Sequence, residues 1–357
     1  DNISDYFSGI LLLNDGQYNK SYKFLKKLNG LEESHLSFPS IYLYSLVNLG
    51  KFSEAFNYAK KIEKKNLDNF ESDLVIGVYY LKNNQLDSAK KYFLKLKNRN
   101  SKFVLNDYVS HSLLNWASFD KLSLSDAQNK IDLTDSRFTN LKNIQKAFLH
   151  CFKKSEETDF LFKKLTSDLK TDFSRYNYFH AIYLANLGEI EKAKKIVNYS
   201  LELSPRNLLL NQYKYDLING KNEINFNCQN QSHVVAEILY ITANALSSQS
   251  IYTFSNFYLN LAKYLNNSFH SFDTLLAENF YKTGKLNQAK KIYKEIEIKG
   301  GAFDWYAAKQ NSRILITENK NKEALKLLTK SYEKLADKSI YEIYDYADFL
   351  KSNDQFE

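Results

Sequence analysis

Apolar residues recur at every third or fourth position along most of the chain, in short segments that polar residues separate. Around Gly50, the apolar positions of segments 41–49 and 53–62 both follow helical spacing. Residues that break helices are scarce, since the 357-residue chain has 10 glycines and 2 prolines. The pattern therefore predicts an all-α protein made of short amphipathic helices joined by tight turns.

A turn phrase, usually a glycine or asparagine followed by a polar helix start, returns along the chain. Successive phrases are 34 residues apart from 16 to 50, 50 to 84, 154 to 188, 250 to 284 and 319 to 353, and 35 apart from 284 to 319. The longer interval from 84 to 154 has room for two units, with a degenerate turn in between at 118–127. The phrase begins at Gly16, Gly50, Asn84, Lys154, Gly188, Ser250, Gly284, Asn319 and Asn353.

Each unit is predicted to be a helix A, a turn and a helix B. The turn residue is expected to cap helix A in the left-handed conformation. An alanine five residues later falls where helix B has to approach helix A closely, at Ala55, Ala89, Ala193, Ala289 and Ala324. Between 188 and 250 a turn occurs at 219–222, but the residues after it lack a helical pattern. One unit is therefore expected to have lost its helix B.

A 34-residue helix–turn–helix with small residues in register resembles the tetratricopeptide repeat. Pro205, in the phrase SLELSPRN, stands where that family closes helix B, whereas Ser21, Asp159 and Ser255 replace the small alanine of helix B. The general layout is similar to large bacterial proteins with irregular repeats of this kind. The small position of helix A is met by Gly9, Gly77, Ala147, Ala181, Ala243, Ala277 and Ser312. The resemblance implies a right-handed superhelical solenoid of about ten stacked antiparallel helix pairs.

The repeats divide the chain into three parts. Residues 1–218 are predicted to form an N-terminal solenoid of about six to seven units, 219–232 an irregular interruption, and 233–357 a C-terminal solenoid of about three to four units. The last unit stops after its helix A, so the native protein is expected to continue.

The resemblance also implies that helix A lines a concave surface, where a peptide could bind through apolar anchors. The alternative is that the same side chains pack against neighbouring helices of a tight superhelix. The candidate groove residues are Tyr44, Leu74, Val78, Ile144, Phe148, Tyr178, Ile182, Tyr240, Tyr281 and Arg313.

Charge and chemistry change this picture little. The net charge is +8, and paired lysines after Ala89, Ala193 and Ala289 suggest either a basic ridge or a solvated helix exterior. The 6 histidines are scattered, and no catalytic motif, cofactor-binding motif or metal-ligand spacing occurs. Cys151 and Cys228 lie far apart in sequence, which supports neither a zinc site nor a disulfide framework.

The sequence thus predicts a non-catalytic scaffold that binds a protein or peptide partner, without cofactor or metal. One alternative is the accessory repeat region of a larger enzyme or membrane-anchored assembly factor, and a less favoured one is a nucleic-acid-binding repeat protein. The longest aliphatic run is 10–13, so membrane association is expected only through segments outside this chain. The compartment stays open: an exported protein if a leader was removed, otherwise a cytoplasmic one.

Overall fold

The structure is a computed structural model that describes residues 2–28, 30–99, 104–167, 171–221, 225–335 and 338–352. These residues form α-helices without any β-strand, which confirms the predicted all-α class. In chain order the helices are α1 Asn2–Asn14, α2 Tyr18–Lys27, α3 Phe38–Asn48, α4 Phe52–Lys64, α5 Phe70–Lys82, α6 Leu86–Lys97, α7 Val104–Trp116, α8 Leu124–Asp132, α9 Thr139–Phe152, α10 Thr158–Thr166, α11 Ser174–Asn186, α12 Ile190–Leu203, α13 Leu208–Ile218, α14 Gln231–Ser248, α15 Tyr252–Leu265, α16 Ser271–Lys282, α17 Leu286–Ile296, α18 Gly301–Thr317, α19 Asn321–Lys334 and α20 Ile340–Ser352.

Contacts divide the chain into two units. Unit 1 comprises residues 1–158 and 227–275, and unit 2 comprises residues 159–226 and 276–357. In unit 1, α1 to α7 stack in sequence, each against the next, and the hairpin α14–α15 packs against α3, α5 and α7. In unit 2, the hairpins α11–α12 and α18–α19 are joined through α13, and α20 packs against α19. The predicted boundary at 219–232 lies where the repeat pattern is lost, whereas units 1 and 2 are defined by contacts between residues. The predicted boundary therefore stays a prediction.

The turns between paired helices have the predicted left-handed geometry. The backbone angle φ is +72° at Gly50 and +73° at Gly284, and it is also positive at Asn84, Lys154 and Asn319. Positive φ at these anchors lets the chain reverse directly after helix A and satisfies its last carbonyls. The predicted repeat of helical hairpins is thereby confirmed. Asn353 lies outside the described residues.

Small residues hold the two helices of a hairpin together, as the repeat register predicts. The helix B alanines Ala55, Ala89, Ala193, Ala289 and Ala324 are each 0% exposed. Because an α-carbon with a small side chain leaves room for the facing helix, the hairpins close tightly there.

The interruption after α13 matches the prediction of a lost helix B. Gly220 turns the chain with φ of +64°, but the described residues that follow form no helix until α14 begins at Gln231. Within unit 2, α13 packs instead against α11, α12 and α18.

The prediction about the cysteines is wrong, because Cys151 at the end of α9 and Cys228 before α14 form a disulfide. Their α-carbons are 5.9 Å apart although 77 residues separate them in sequence. The fold brings the segment before α14 back to α9, a long-range approach that spacing along the chain does not reveal.

Candidate functional site

In unit 1 the hairpin α14–α15 covers the predicted groove. The ring of Tyr44 lies 4.9 Å from the ring of Phe257 on α15, and Leu74 and Val78 are both 0% exposed. The Nδ2 of Asn260 donates to the side-chain oxygen of Asn48 at 2.9 Å. The helix A faces of α3 and α5 therefore meet another part of the same chain.

The remaining predicted groove residues fall into two groups. Ile144, Phe148, Tyr178 and Ile182 are buried in the packing of their units. Tyr240, whose ring centroid lies 5.6 Å from that of Phe272, keeps partial exposure, as do Tyr44 and Tyr281, and Arg313 is exposed. A peptide-binding role of these partly exposed or exposed side chains stays a prediction.

Unit 2 contains an open cleft between α13, α18 and the chain from the end of α19 into α20. Its empty volume, which includes the solvent-filled mouth, is about 990 Å³. We call it the α13–α18 cleft. Its apolar and aromatic lining includes Leu208, Tyr215, Ile218, Trp305, Leu335 and Tyr341, and its charged lining consists of Arg206, Lys214, Lys309, Lys334, Glu342 and Asp345.

A double glycine allows α18 to begin directly beside α13. Gly300 has φ of +155°, and a β-carbon added there would lie 2.2 Å from the side-chain amide of Gln212. The Oε1 of Gln212 in turn accepts a hydrogen bond from the backbone N–H of Ala302 at 3.1 Å. Since only glycine combines this backbone angle with so close an approach, Gly300 is required where α18 begins next to Gln212 of α13.

One carboxylate inside the cleft is held by two cations. Asp345 on α20 accepts from Arg206 at 2.8 Å through Oδ1 and from Lys309 at 2.7 Å through Oδ2. Partial burial opposes its ionisation, but these two hydrogen bonds prevail and hold the pKa of Asp345 below its ordinary value. The guanidinium of Arg206 also lies 5.3 Å from the ring centroid of Tyr341.

The other two cations of the cleft, Lys214 and Lys334, form fewer or longer ion pairs than Arg206 and Lys309. Lys214 is half-buried and forms no ion pair with the described residues. Lys334, with 57% of its side chain exposed, contacts Asp304 at 3.4 Å. Glu342 is occupied at the start of α20, where it accepts from the backbone N–H of Ser339 at 2.9 Å. The cleft therefore offers two cations to an incoming anion.

Trp305 forms the apolar wall next to these charges. It is 5% exposed, and its ring centroid lies 5.4 Å from the ammonium of Lys309. Its indole Nε1 is buried and has no hydrogen-bond partner among the described residues. A ligand carbonyl or carboxylate that reached this N–H would satisfy it, so the wall is apolar with a polar edge.

None of the candidate groove residues predicted from the sequence lines this cleft. The prediction ranked helix A positions by their place within a unit, whereas the cleft arises where one helix B is missing and α18 packs on α13. Two signals in the sequence relate to it: the loss of helical pattern after Ile218 and the dipeptide Gly300–Gly301.

The described residues contain no group of three or more His, Cys, Asp or Glu side chains arranged to hold a metal ion. Among the helices they form, none is both long and apolar enough to cross a membrane.

A scan of protein-family models and a search of curated proteins find no match for this chain. Solved structures with similarity include the P58(IPK) TPR domain, at 17% identity over 99% of both chains with a TM-score of 0.29. Yeast Tom70 matches at 14% identity over 99% of this chain and 84% of its own, with a TM-score of 0.28. A human IFIT1 dimer with PPP-AAAA matches at 14% identity over 97% and 79%, with a TM-score of 0.29. At such TM-scores the likeness adds nothing beyond the hairpin repeat seen in the chain itself.

Proposed function

We propose that this helical-repeat chain is a protein-interaction scaffold and that a segment of its partner binds in the α13–α18 cleft. The observation that carries this proposal is that the cleft is open, whereas the helix A faces of α3 and α5 pack against α15. Concave sites with an apolar wall and a few convergent charges are typical binding sites for side chains of a partner.

The lining of the cleft supports this proposal in two ways. Ile218 is 65% exposed and Tyr341 is 37% exposed at its mouth, so apolar surface is accessible there. The wall behind them is rigid, since Trp305, Ala308 and Leu328 form a buried cluster against which Tyr346 and Phe349 of α20 pack. A rigid wall with accessible apolar edges binds a partner without a large cost of ordering.

The experiment is a selection of displayed random peptides on the immobilised full chain. We expect peptides that bind the wild-type chain and bind the Ile218→Ser variant at least about fivefold more weakly, because a contact with an exposed apolar side chain is worth about 1 kcal/mol. Binding of the selected peptides is then measured by fluorescence anisotropy.

The matched control is Leu203→Ser, which replaces a leucine that is 52% exposed on α12 of the same unit and does not line the cleft. Peptide binding should be unchanged in this variant. If every selected peptide binds wild type and Ile218→Ser equally, or if no peptide is enriched, the α13–α18 cleft is not the partner site.

A further inference from the structure

The charges in the α13–α18 cleft are unbalanced. Four cations, Arg206, Lys214, Lys309 and Lys334, face two carboxylates, Glu342 and Asp345. Asp345 pairs with both Arg206 and Lys309 but carries a single negative charge, and Glu342 accepts a hydrogen bond from the backbone N–H of Ser339 at the start of α20. The lining therefore has two more cations than carboxylates: Lys214 forms no ion pair with the described residues, and the mostly exposed Lys334 pairs at 3.4 Å with Asp304, which does not line the cleft.

From this arrangement we infer that the partner segment bound in the cleft is acidic and carries an apolar or aromatic anchor. Its carboxylates pair with Lys214 and Lys334, and its anchor packs between Tyr215 and Trp305. This inference rests on the proposed function, since it names the chemistry of the segment that occupies the same site.

The contacts of Asp345 show how the cleft receives a carboxylate. Two cations from separate segments, Arg206 in the turn before α13 and Lys309 on α18, converge on its two oxygens. Beside it the ring of Tyr341 lies against the guanidinium of Arg206. The protein thus already holds, from its own α20, a carboxylate next to an aromatic ring, which is the chemistry that the inference assigns to the partner.

The placement of the charges favours a peptide over a nucleic acid. A phosphate backbone needs a continuous series of cations along its path. Here α20 presents Glu342 and Asp345 along one wall of the cleft, so a phosphate chain would meet carboxylates at its side. A peptide with a few acidic side chains can place them on Lys214 and Lys334 and keep uncharged residues near α20.

The test uses the full chain and three fluorescein-labelled synthetic probes. The first is a peptide of about twelve residues in which acidic residues flank one central phenylalanine, the second replaces every carboxylate by its amide, and the third is oligouridine of similar length. We expect the acidic peptide to bind at least about tenfold more tightly than the other two, with an affinity that falls as salt rises.

The double variant Lys214→Gln/Lys334→Gln should weaken binding of the acidic peptide by about tenfold and leave the amide peptide unaffected. The matched control is Lys291→Gln/Lys294→Gln, which removes the same charge from exposed positions of α17 outside the cleft. Equal weakening in both double variants, equal binding of acidic and amide peptides, or tighter binding of oligouridine would each overturn the inference.

Peptide selection on the full chain distinguishes failure of the acidic-partner inference from failure of the scaffold function. If selected peptides depend on Ile218 but are neutral or basic, the scaffold function stands and the acidic partner is wrong. If no selected peptide depends on the cleft, both are wrong.

Discussion

The close approach of paired helices depends on individual positions that tolerate no larger side chain. A β-carbon added to Gly77 on α5 would lie 2.4 Å from the Cε1 of Phe93 on α6, and Phe93 is 0% exposed. Because the ring is fully buried, it cannot swing into solvent to make room for a β-carbon, so we expect packing to require the glycine.

We therefore predict that Gly77→Ala destabilises unit 1 by about 1–3 kcal/mol, although alanine itself favours a helix by up to about 1 kcal/mol. Chemical denaturation of the two proteins measures the change. The same substitution should cost less when the facing side chain is shorter. We therefore expect a smaller difference between Phe93→Leu and Gly77→Ala/Phe93→Leu than between wild type and Gly77→Ala. If Gly77→Ala were more stable than wild type, the contact between residue 77 and the ring of Phe93 would not prevent a larger side chain at this position.

A second residue-scale feature is the buried carboxylate of Glu32 in the turn before α3. It is 0% exposed, pairs with Lys61 at 2.7 Å and Lys65 at 3.1 Å, and accepts from the backbone N–H of Gly30 at 2.7 Å. Burial opposes its ionisation, but the hydrogen bonds prevail and lower the pKa of Glu32 to about 2.

Because this folded-state pKa lies below the ordinary value of 4.5, Glu32 stabilises the fold above pH 4.5 and loses that contribution as the pH falls toward 2. Glu32→Gln should cost about 2 kcal/mol at neutral pH, less than the full shift implies because both lysines reach solvent. Urea midpoints of wild type and variant should converge between about pH 4.5 and 2.5.

Glu33→Gln, at a position that is 65% exposed, serves as the control and should stay within about 0.5 kcal/mol of wild type. A pH-independent difference between wild type and Glu32→Gln would contradict the assigned pKa.

At the scale of the helical elements, serine replaces alanine in some hairpins and adds a hydrogen bond between the two helices. The Oγ of Ser21 on α2 donates to the carbonyl of Gly9 on α1 at 2.8 Å, and the Oγ of Ser255 on α15 donates to the carbonyl of Ala243 on α14 at 2.7 Å. Both serines are 0% exposed. Serine in place of the helix B alanine therefore keeps the side chain small and adds a hydrogen bond between the two helices.

Volume should dominate over the hydroxyl at these positions. We predict that Ser21→Ala changes the free energy of unfolding by no more than about 1 kcal/mol, since a net hydrogen bond contributes about that much. Ser21→Val should cost about 1–3 kcal/mol, because valine places two methyl groups against α1 where serine has a single hydroxyl. Thermal unfolding of the two variants compares them directly, and a valine variant as stable as the alanine variant would refute the volume argument.

The elements themselves could be predicted from the sequence because helix and turn follow from local patterns. The turn residues Gly50 and Asn84 have the expected positive φ, and Ala55 and Ala89 are buried where the register places them. The placement of Tyr44 against Phe257 could not be predicted, because it depends on α15 packing against helices about 200 residues earlier. The cleft depends on a missing helix and on Gly300 meeting Gln212, which are likewise contacts between distant segments.

At the scale of the whole molecule, the chain leaves unit 1 and later returns to it. Residues 159–226 belong to unit 2, and unit 1 resumes at residue 227. Cys151 lies shortly before the chain leaves and Cys228 directly after it returns, so their disulfide joins the two ends of this excursion within unit 1. It also attaches the segment that leads into α14, the hairpin helix that packs on α7.

Since the disulfide closes a loop across a separation of 77 residues, it should stabilise unit 1 mainly by restricting the unfolded chain. We predict that reduction lowers the free energy of unfolding by about 2–4 kcal/mol and speeds hydrogen exchange in the first turn of α14. The double variant Cys151→Ser/Cys228→Ser should match the reduced protein and no longer respond to reductant. If the oxidised wild type is no more stable than this variant, the disulfide does not stabilise unit 1. Packing of α14 and α15 alone would then hold the segment that leads into α14.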